Sequence, residues 1–288
     1  MPPVSRRSPT RRWIARRTSW WTRSFVASVF VLPPLGLDGP LDLAIMAGLF
    51  GLALVRPRWD REQAPVAVRP PVRGRWVAMN SPATKVPSHG LRAYGQTYAI
   101  DILHPRPPGA RRRPSWGLGL RSPEEFTSFG EPVRAVADGV VVSTAPRQRD
   151  HPSRLSWFSI VYLLLVEGFC RELGGARFVL GNHVVVDHGD GLHSAYAHLR
   201  RGSLTVAAGD RVDAGTQLGE VGNSGNTTEP HLHVQLMDDA SVTGAAGLPF
   251  RWEGIEVADD LDPTITDEPV DHDVPGVPAD GQVFFAWA

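Results

Sequence analysis

The sequence predicts a mainly β fold built from antiparallel sheets, and three observations support this prediction. From about residue 95 onward, short apolar runs alternate with turns that contain glycine and aspartate. Asp138-Gly139 separates one pair of runs, and Gly189-Asp190-Gly191 separates another. Almost no amphipathic helix interrupts this rhythm. Such spacing is typical of an all-β sandwich or an open barrel.

Length and composition limit the possible classes of protein. The chain has 288 residues, of which 42% are hydrophobic, and its formal net charge is zero. It can therefore bury one sizeable core with additions, and it lacks the overall basic charge of a nucleic-acid-binding protein. Cys170 is the one cysteine, which excludes an intrachain disulfide and a thiolate metal cluster. The globular domain is predicted over 81–255, after a Pro/Arg-rich linker at 61–80 and before an acidic C-terminal tail at 256–288.

The N-terminal segment 1–60 is rich in arginine and tryptophan and contains two apolar runs, 25–37 and 41–55. Each run is shorter than the roughly 20 residues that a straight membrane-spanning helix needs, and prolines and glycine separate the two. Three interpretations remain open: an uncleaved membrane anchor, an export signal of unusual shape, or a buried hairpin of a soluble protein. The arginine and tryptophan flank favours the anchor, as one crossing or as a tight hairpin, and so predicts contact with a membrane.

A second departure from the β pattern lies at 146–180. Its apolar stretch 157–166 is nearly continuous, which a helix with one wet face would not give, and it is too short to span a bilayer. We expect a helical insertion that packs on the core. An insertion that contacts a membrane or a partner protein is the alternative.

The segment "TEPHLHVQL" at 228–236 carries His231 and His233 two residues apart. Side chains at i and i+2 of a strand point to the same side, so both imidazoles face one space. A third histidine, His198, ends the run "SAYAHL", and Asp101 lies in the apolar run "YAIDIL". A buried carboxylate is costly unless it is paired. Asp101 is therefore either a metal ligand beside the histidines or the partner of an arginine.

Two long stretches resemble the lysostaphin/LytM-type zinc metallopeptidases that cut peptidoglycan. They are "GNHVVVDHGDGLHSAYAHL" and "VAAGDRVDAGTQLGEVGNSGNTTEPHLHVQL", and "FGEPVRAVADGVV" resembles a strand pair of the same domain. The resemblance covers roughly residues 89–250. It implies the duplicated-hybrid-motif fold, in which antiparallel sheets hold zinc in a groove.

The resemblance also implies a role for each residue of the histidine cluster. His233 and Asp101 are expected to bind Zn²⁺, and His231 and His198 are expected to act as the two catalytic histidines. Catalytic zinc takes three protein ligands and keeps one position for water. In such a site water becomes acidic enough to attack a peptide carbonyl near neutral pH.

The remaining ligand is where this sequence departs from the family pattern. The family has a histidine four residues before the aspartate, but that position here is Thr97. The segment "SHGLRAYGQTYAID" offers His89 at a longer distance, and we expect His89 to be the third protein ligand. Glu229 and Gln235, beside the histidine pair, stand where the family usually has a small residue and an acid.

Other histidines receive structural interpretations. His188, at a predicted turn, is expected to make a structural hydrogen bond, and His104, on a Pro-rich segment, is expected to be solvated. Neither is expected to bind the metal.

These observations predict a zinc metalloendopeptidase that hydrolyses peptide bonds in peptidoglycan. Because that polymer lies outside the cytoplasm, the catalytic domain is expected to be extracytoplasmic and held at the cell membrane. A non-catalytic wall-binding or regulatory module of the same fold is the alternative, and Thr97 is the residue that favours it. A biotinyl or lipoyl carrier domain shares the glycine spacing but needs a lysine on an exposed turn, and Lys85 lies far upstream.

Overall fold

The computed structural model describes residues 8–35, 39–57, 63–106, 116, 119–266 and 274–287. Within these ranges the chain forms six α-helices and sixteen strands. The helices are α1 Pro9–Ala15, α2 Thr18–Leu35, α3 Gly39–Ala53, α4 Trp157–Tyr162, α5 Gly168–Gly174 and α6 Ala176–Leu180. The strands are β1 Val66–Val68, β2 Gly74–Met79, β3 Ile100–Leu103, β4 Leu120–Arg121, β5 Pro132–Arg134, β6 Gly139–Ala145, β7 Ser153–Arg154, β8 Asn182–Asp187, β9 His193–Leu199, β10 Arg211–Val212, β11 Gln217–Glu220, β12 Leu232–Met237, β13 Gly247–Leu248, β14 Phe250–Trp252, β15 Ile255–Leu261 and β16 Gln282–Ala286.

One large antiparallel sheet organises the molecule, which confirms the mainly β prediction. Its strands lie in the order β10-β6-β8-β9-β12-β3-β2-β16-β15, and β13 pairs with the end of β12. Strand β12, which carries the histidine pair, therefore lies between β9 and β3. Every residue of β12 is buried, because the sheet is covered on both faces at this point.

The core lies between this sheet and the short antiparallel pair of β5 and β11. Its largest fully buried side chains include Trp76, Tyr196, Phe284, Ile100 and Leu232. The Tyr196 hydroxyl lies in this core and accepts a hydrogen bond of 2.8 Å from the Val136 backbone N–H. Val184, Val186 and Tyr196 of the central hairpin β8–β9 belong to this core, while Val185 and Ala195 belong to a second cluster of buried residues.

The chain on either side of the predicted domain also joins its sheets, which corrects two expectations. The predicted linker at 61–80 contains β1, which pairs with β14, and β2, which pairs with β3. The predicted acidic tail at 256–288 contains β15 and β16, and β16 pairs with β2. The acidic composition of 256–288 indicated a tail, although the segment contains the apolar strand "QVFFA". Val283 and Phe284 of this strand are buried. Residues 267–273 of that segment lie outside the described ranges.

The N-terminal helices form a hairpin that does not support the predicted membrane-spanning anchor at 1–60. In the described part of the chain, no helix is long and apolar enough to cross a membrane. Helix α2 includes Arg23 and two prolines, and α3 has 15 residues, a length of about 22 Å against a hydrocarbon core of about 30 Å. Helices α2 and α3 pack together, with the rings of Phe25 and Phe50 centred 5.2 Å apart.

Ion pairs attach the first helix to the domain at the end of β12. Arg12 lies 2.7 Å from Asp238 and 2.7 Å from Asp239, and Arg16 also lies 2.7 Å from Asp239. The side chain of Asp238 is fully buried and also accepts a bond from the Ala246 backbone N–H. The N-terminal helices are therefore attached to the same strand that carries the histidine pair.

The segment 146–180 is helical, as expected, and it packs on the domain through a few side chains. Helices α4 and α5 are joined by a π-helical turn, Leu163–Glu167, and Leu163 and Leu180 are buried against the domain. Residues before the helices bind the loop that leads to β12. The Asn223 amide donates to the His151 carbonyl at 2.6 Å, and the Arg154 backbone N–H donates to the Thr228 carbonyl at 2.6 Å.

Candidate metal and catalytic site

Three neighbouring strands place the predicted site residues in one space. Asp101 lies in β3, His233 lies in β12, and His198 lies near the end of β9. The register pairs His233 with Asp101 on one side and with Ala197 on the other. His231 lies one residue before β12, so the sheet brings four of the five predicted residues together.

The fifth residue, His89, reaches the cluster from the loop before β3. The ligand atoms of His89, Asp101 and His233 all lie within 4.8 Å of one another. His89 Nε2 is 3.1 Å from Asp101 Oδ2, and His233 Nδ1 is 2.9 Å from Asp101 Oδ1. Two imidazoles and one carboxylate at such distances form a donor set that suits zinc with an open coordination position.

The His89 loop is held by its own hydrogen bonds. The Ser88 backbone N–H donates to the Thr97 carbonyl at 3.1 Å, and the Ser88 hydroxyl donates to the Gln96 carbonyl at 3.3 Å. The hydroxyl oxygen is then free to accept from His89 Nδ1–H, at 3.0 Å, which leaves the lone pair of Nε2 for the cluster. Thr97 therefore supports the loop through its backbone, while His89 takes the place in the cluster.

Asp101 is the centre of this cluster and is almost fully buried. The Asn80 amide donates to Oδ2 at 2.7 Å, and His231 Nε2 lies 3.6 Å from Oδ1. Burial is the strongest influence and opposes ionisation, but the charges of His89 and His231 and the hydrogen bonds of His233 and His89, which these rings supply to Asp101 when they are protonated, outweigh it. Together they hold the pKa of Asp101 well below its usual range. The carboxylate is thus ionised and able to bind a cation.

The two predicted catalytic histidines have matching environments. His198 Nδ1–H donates to the Ser224 carbonyl at 2.8 Å, and His231 Nδ1–H donates to the Glu229 carbonyl at 2.8 Å. Each ring therefore keeps Nε2 for the space beside Asp101. The ring centres of His198 and His231 are 4.9 Å apart. Burial above all, with His231 and His233 nearby, lowers the pKa of His198 well below its ordinary value, so its ring is neutral near pH 7.

The remaining histidines lie outside this cluster. His188 bonds to the Asp138 carbonyl and the Ser194 hydroxyl, each at 2.7 Å, which confirms its structural interpretation. The expectation for His104 is wrong: the residue is half-buried, with its ring 4.2 Å from the ring of Trp76. The Pro-rich segment around His104 gives no local signal for this aromatic contact with β2.

Two further residues contact the cluster, and only the second was not identified from the sequence. Gln235, noted in the sequence as a departure from the family pattern, has its Oε1 3.0 Å from His233 Nε2, as the two-residue strand period predicts for neighbours on the same face. Asn80 follows β2 and reaches Asp101 across the sheet, and the sequence gives no local signal for that contact. Glu229 stands near His231 where the family usually has a small residue. Its carboxylate forms an ion pair with Arg106, which balances its charge.

Comparison with known families identifies the domain that holds this cluster. Residues 166–244, which include His198, His231 and His233, match the model of Peptidase family M23. The chain contains a peptidase family M23 domain. This M23 domain accounts for the central strands β8, β9 and β12, whereas His89 and Asp101 precede the matched range.

Curated relatives of the M23 domain include two proteins that are named as endopeptidases. Glycyl-glycine endopeptidase ALE-1 of Staphylococcus capitis is 30% identical over 128 residues, covering 44% of this chain and 27% of that protein. Peptidoglycan DD-endopeptidase ShyA of Vibrio cholerae is 32% identical over 120 residues, covering 40% of this chain and 20% of that protein. The chain thus spans about a quarter of the length of these relatives or less.

Solved structures similar to the M23 domain include the catalytic domain of a peptidase and a metalloprotease. The catalytic domain of lysostaphin from Staphylococcus simulans is 23% identical, with a TM-score of 0.28, covering 48% of this chain and 86% of that chain. The M23 metalloprotease pseudoalterin is 15% identical, with a TM-score of 0.37, covering 78% of this chain and 98% of that chain.

Proposed function

We propose that the M23 domain is a zinc metalloendopeptidase that hydrolyses peptide bonds in peptidoglycan. The observation that carries the proposal is the convergence of His89, Asp101 and His233 beside two further imidazoles. The named activities of the M23 relatives support the substrate class. The chemistry that bound zinc supplies is Lewis-acid polarisation of a carbonyl and a lowered pKa of water.

The chain's own residues supply proton transfer and orientation. A water that attacks the peptide carbonyl must lose a proton, and the unprotonated Nε2 of His198 can accept it. His231 directs Nε2 into the same space, where a protonated ring can donate a hydrogen bond to the carbonyl oxygen as it gains charge. The departing amine then receives its proton from one of these rings. Both rings are held by backbone carbonyls, so neither has to reorient.

Alanine variants of His231 and His233 test whether one histidine binds the metal while the other acts in proton transfer. We expect His233→Ala to lose zinc, because it removes a ligand, and so to lose hydrolysis as well. We expect His231→Ala to retain zinc and to lose about 10²- to 10⁴-fold in turnover, because it removes only proton transfer and oxyanion stabilisation. Zinc content by elemental analysis and the release of new amino groups from purified peptidoglycan measure the two effects.

His193→Ala provides the matched control, since His193 lies in β9 and contacts Asp187 rather than the cluster. It should retain both zinc and hydrolysis. Full zinc content in His233→Ala would contradict the ligand assignment. A zinc-loaded wild-type protein without hydrolysis would instead support the non-catalytic module.

We further propose that the protein acts outside the cytoplasm, with its exposed helices against a membrane surface. Apolar side chains are exposed on the N-terminal hairpin and on the insertion, for example Phe30, Leu43, Phe158 and Leu165. A cleft of about 900 Å³ at helices α1 and α2 is lined mainly by arginine and tryptophan, which suit anionic headgroups and the interfacial region. Its lining residues are Pro9, Arg12, Trp13, Arg16, Arg17, Trp20 and Trp21.

Flotation with phosphatidylglycerol vesicles tests the membrane proposal. The wild-type protein should float with the vesicles, and the double variant Phe158→Ser, Leu165→Ser should float less because it removes exposed apolar surface from the insertion. Val142→Ser, an exposed position on β6, is the matched control. A wild-type protein that stays in the lipid-free fraction would contradict this proposal without affecting the proposed hydrolysis.

A further inference from the structure

Gln235 is a fully buried polar residue beside the candidate metal ligand His233. It lies two positions after His233 in β12, so the two side chains share one face of the strand. None of the roles given above to the histidines and Asp101 involves Gln235. A buried amide is costly unless its donor and acceptor atoms are bonded, so its partners define what it can do.

The orientation of the Gln235 amide is fixed by the backbone of the His89 loop. Its Nε2 donates to the Tyr94 carbonyl at 2.7 Å, and its Oε1 lies 3.0 Å from His233 Nε2. A carbonyl oxygen can only accept, so the reversed amide would place two oxygens against each other at Tyr94. Oε1 therefore faces the imidazole.

The loop is shaped to make this approach. Gly95, directly after Tyr94, has a φ of 71°, a conformation that favours glycine. A Cβ atom at this position would lie 3.0 Å from Gln235 Nε2. The Tyr94 hydroxyl in turn donates to Glu172 of helix α5, which holds the residue whose carbonyl orients the amide.

The oriented amide determines where His233 carries its proton. Oε1 has no hydrogen to donate, so the 3.0 Å contact requires a proton on His233 Nε2. In the neutral ring, the lone pair then lies on Nδ1. That atom lies 2.9 Å from Asp101 Oδ1, which is itself an acceptor. A bound cation would satisfy both acceptor atoms.

We propose that Gln235 is a positioning residue that fixes the tautomer and ring orientation of His233, so that Nδ1 is presented to the metal. The proposal rests on the zinc site of the proposed function, but not on hydrolysis. An amide suits this place better than an acid does. A glutamate carboxylate at this position could accept a hydrogen bond from His233. Its second oxygen, however, would face the Tyr94 carbonyl oxygen without a hydrogen between them, and its charge would be buried.

Zinc affinity measured by chelator competition is the first test. Gln235→Leu removes the acceptor, so the ring loses its fixed orientation, and we expect zinc affinity to fall about 10- to 100-fold. Gln235→Glu keeps an acceptor for Nε2–H and should recover a large part of the affinity. Leu236→Met, at the next position of β12 and also buried but on the opposite face of the strand, is the matched control and should match the wild type.

Nitrogen-15 NMR of labelled histidine in the wild-type protein is the second test, and it needs no variant to fold. We expect His233 Nε2 to carry a proton both without metal and with zinc. A wild-type His233 protonated at Nδ1 alone would overturn the proposal, as would unchanged zinc affinity in a folded Gln235→Leu protein.

The two tests separate this inference from the proposed function. A protein that binds zinc with the expected Gln235 effect but leaves peptidoglycan intact would refute the hydrolysis and keep the role of Gln235. Absence of zinc binding in the wild type would refute the metal site, and with it the presentation of Nδ1 to a metal.

Discussion

At the scale of single residues, the buried histidines divide into those that face Asp101 and those that support the backbone. His183 belongs to the second group: it is buried in β8, and its Nδ1–H donates to the Gly181 carbonyl at 2.8 Å. Burial is the main cause that lowers the pKa of His183, and the Gly181 bond opposes the shift only in part. Its neutral ring is therefore part of the folded state.

This burial predicts an acid-sensitive contribution to stability. Unfolded histidine binds a proton below about pH 6.5, whereas folded His183 does so only at lower pH. Its contribution is present above the unfolded pKa and is lost as the pH falls from about 6.5 through the lowered folded pKa. Urea unfolding at pH 7.5 and 5.5 should show a smaller acid-induced loss in His183→Gln than in the wild type. Equal losses in the two proteins would contradict this account.

His89, the proposed third metal ligand, shows what reasoning from single residues can and cannot predict. The two-residue period of the strand identifies His231 and His233 as neighbours. Only the tertiary structure shows that the loop before β3 brings His89 to within 3.1 Å of Asp101. Thr97 departs from the family pattern and favoured the non-catalytic alternative, yet its carbonyl accepts the hydrogen bond from Ser88 N–H that closes the loop carrying His89.

At the scale of elements, the strands that form the site could be predicted because short apolar runs and Gly/Asp turns mark them locally. The C-terminal strand β16 was missed because its acidic surroundings dominate the composition of 256–288. Its pairing with β2 depends on residues about 200 positions earlier in the chain, and no local pattern encodes that partner.

Two adjacent phenylalanines test whether β16 is part of the folded core. Phe284 is fully buried, with its ring centred 5.4 Å from that of Trp252, while Phe285 is 45% exposed. We expect Phe284→Ala to lower the free energy of unfolding by about 3–5 kcal/mol, and Phe285→Ala to change it by about 0.5 kcal/mol. Urea unfolding measures both. Equal, small effects would show that the C-terminal segment is dispensable to the core.

At the scale of the whole molecule, the M23 domain is closely joined to the segments around it. Helix α1 reaches the end of β12 through Arg12 and Asp238, and Arg23 of α2 donates to the Leu173 carbonyl at 2.6 Å. Apolar runs in the sequence indicated the N-terminal helices. They could not indicate the ion pair of Arg12 or the hydrogen bond from Arg23 to the last turn of α5. Such contacts depend on which surfaces the fold brings together.

The most direct measurement for the whole account is anomalous scattering at the zinc absorption edge from crystals of the zinc-loaded protein. We expect one strong peak between His89 Nε2, the Asp101 carboxylate and His233 Nδ1, with His198 and His231 beside it. The same experiment on His89→Ala should lose most of the peak, while Thr97→Ala should keep it. A zinc peak away from these three residues, or no peak in the wild type, would contradict the assignment of this site as a metallopeptidase centre.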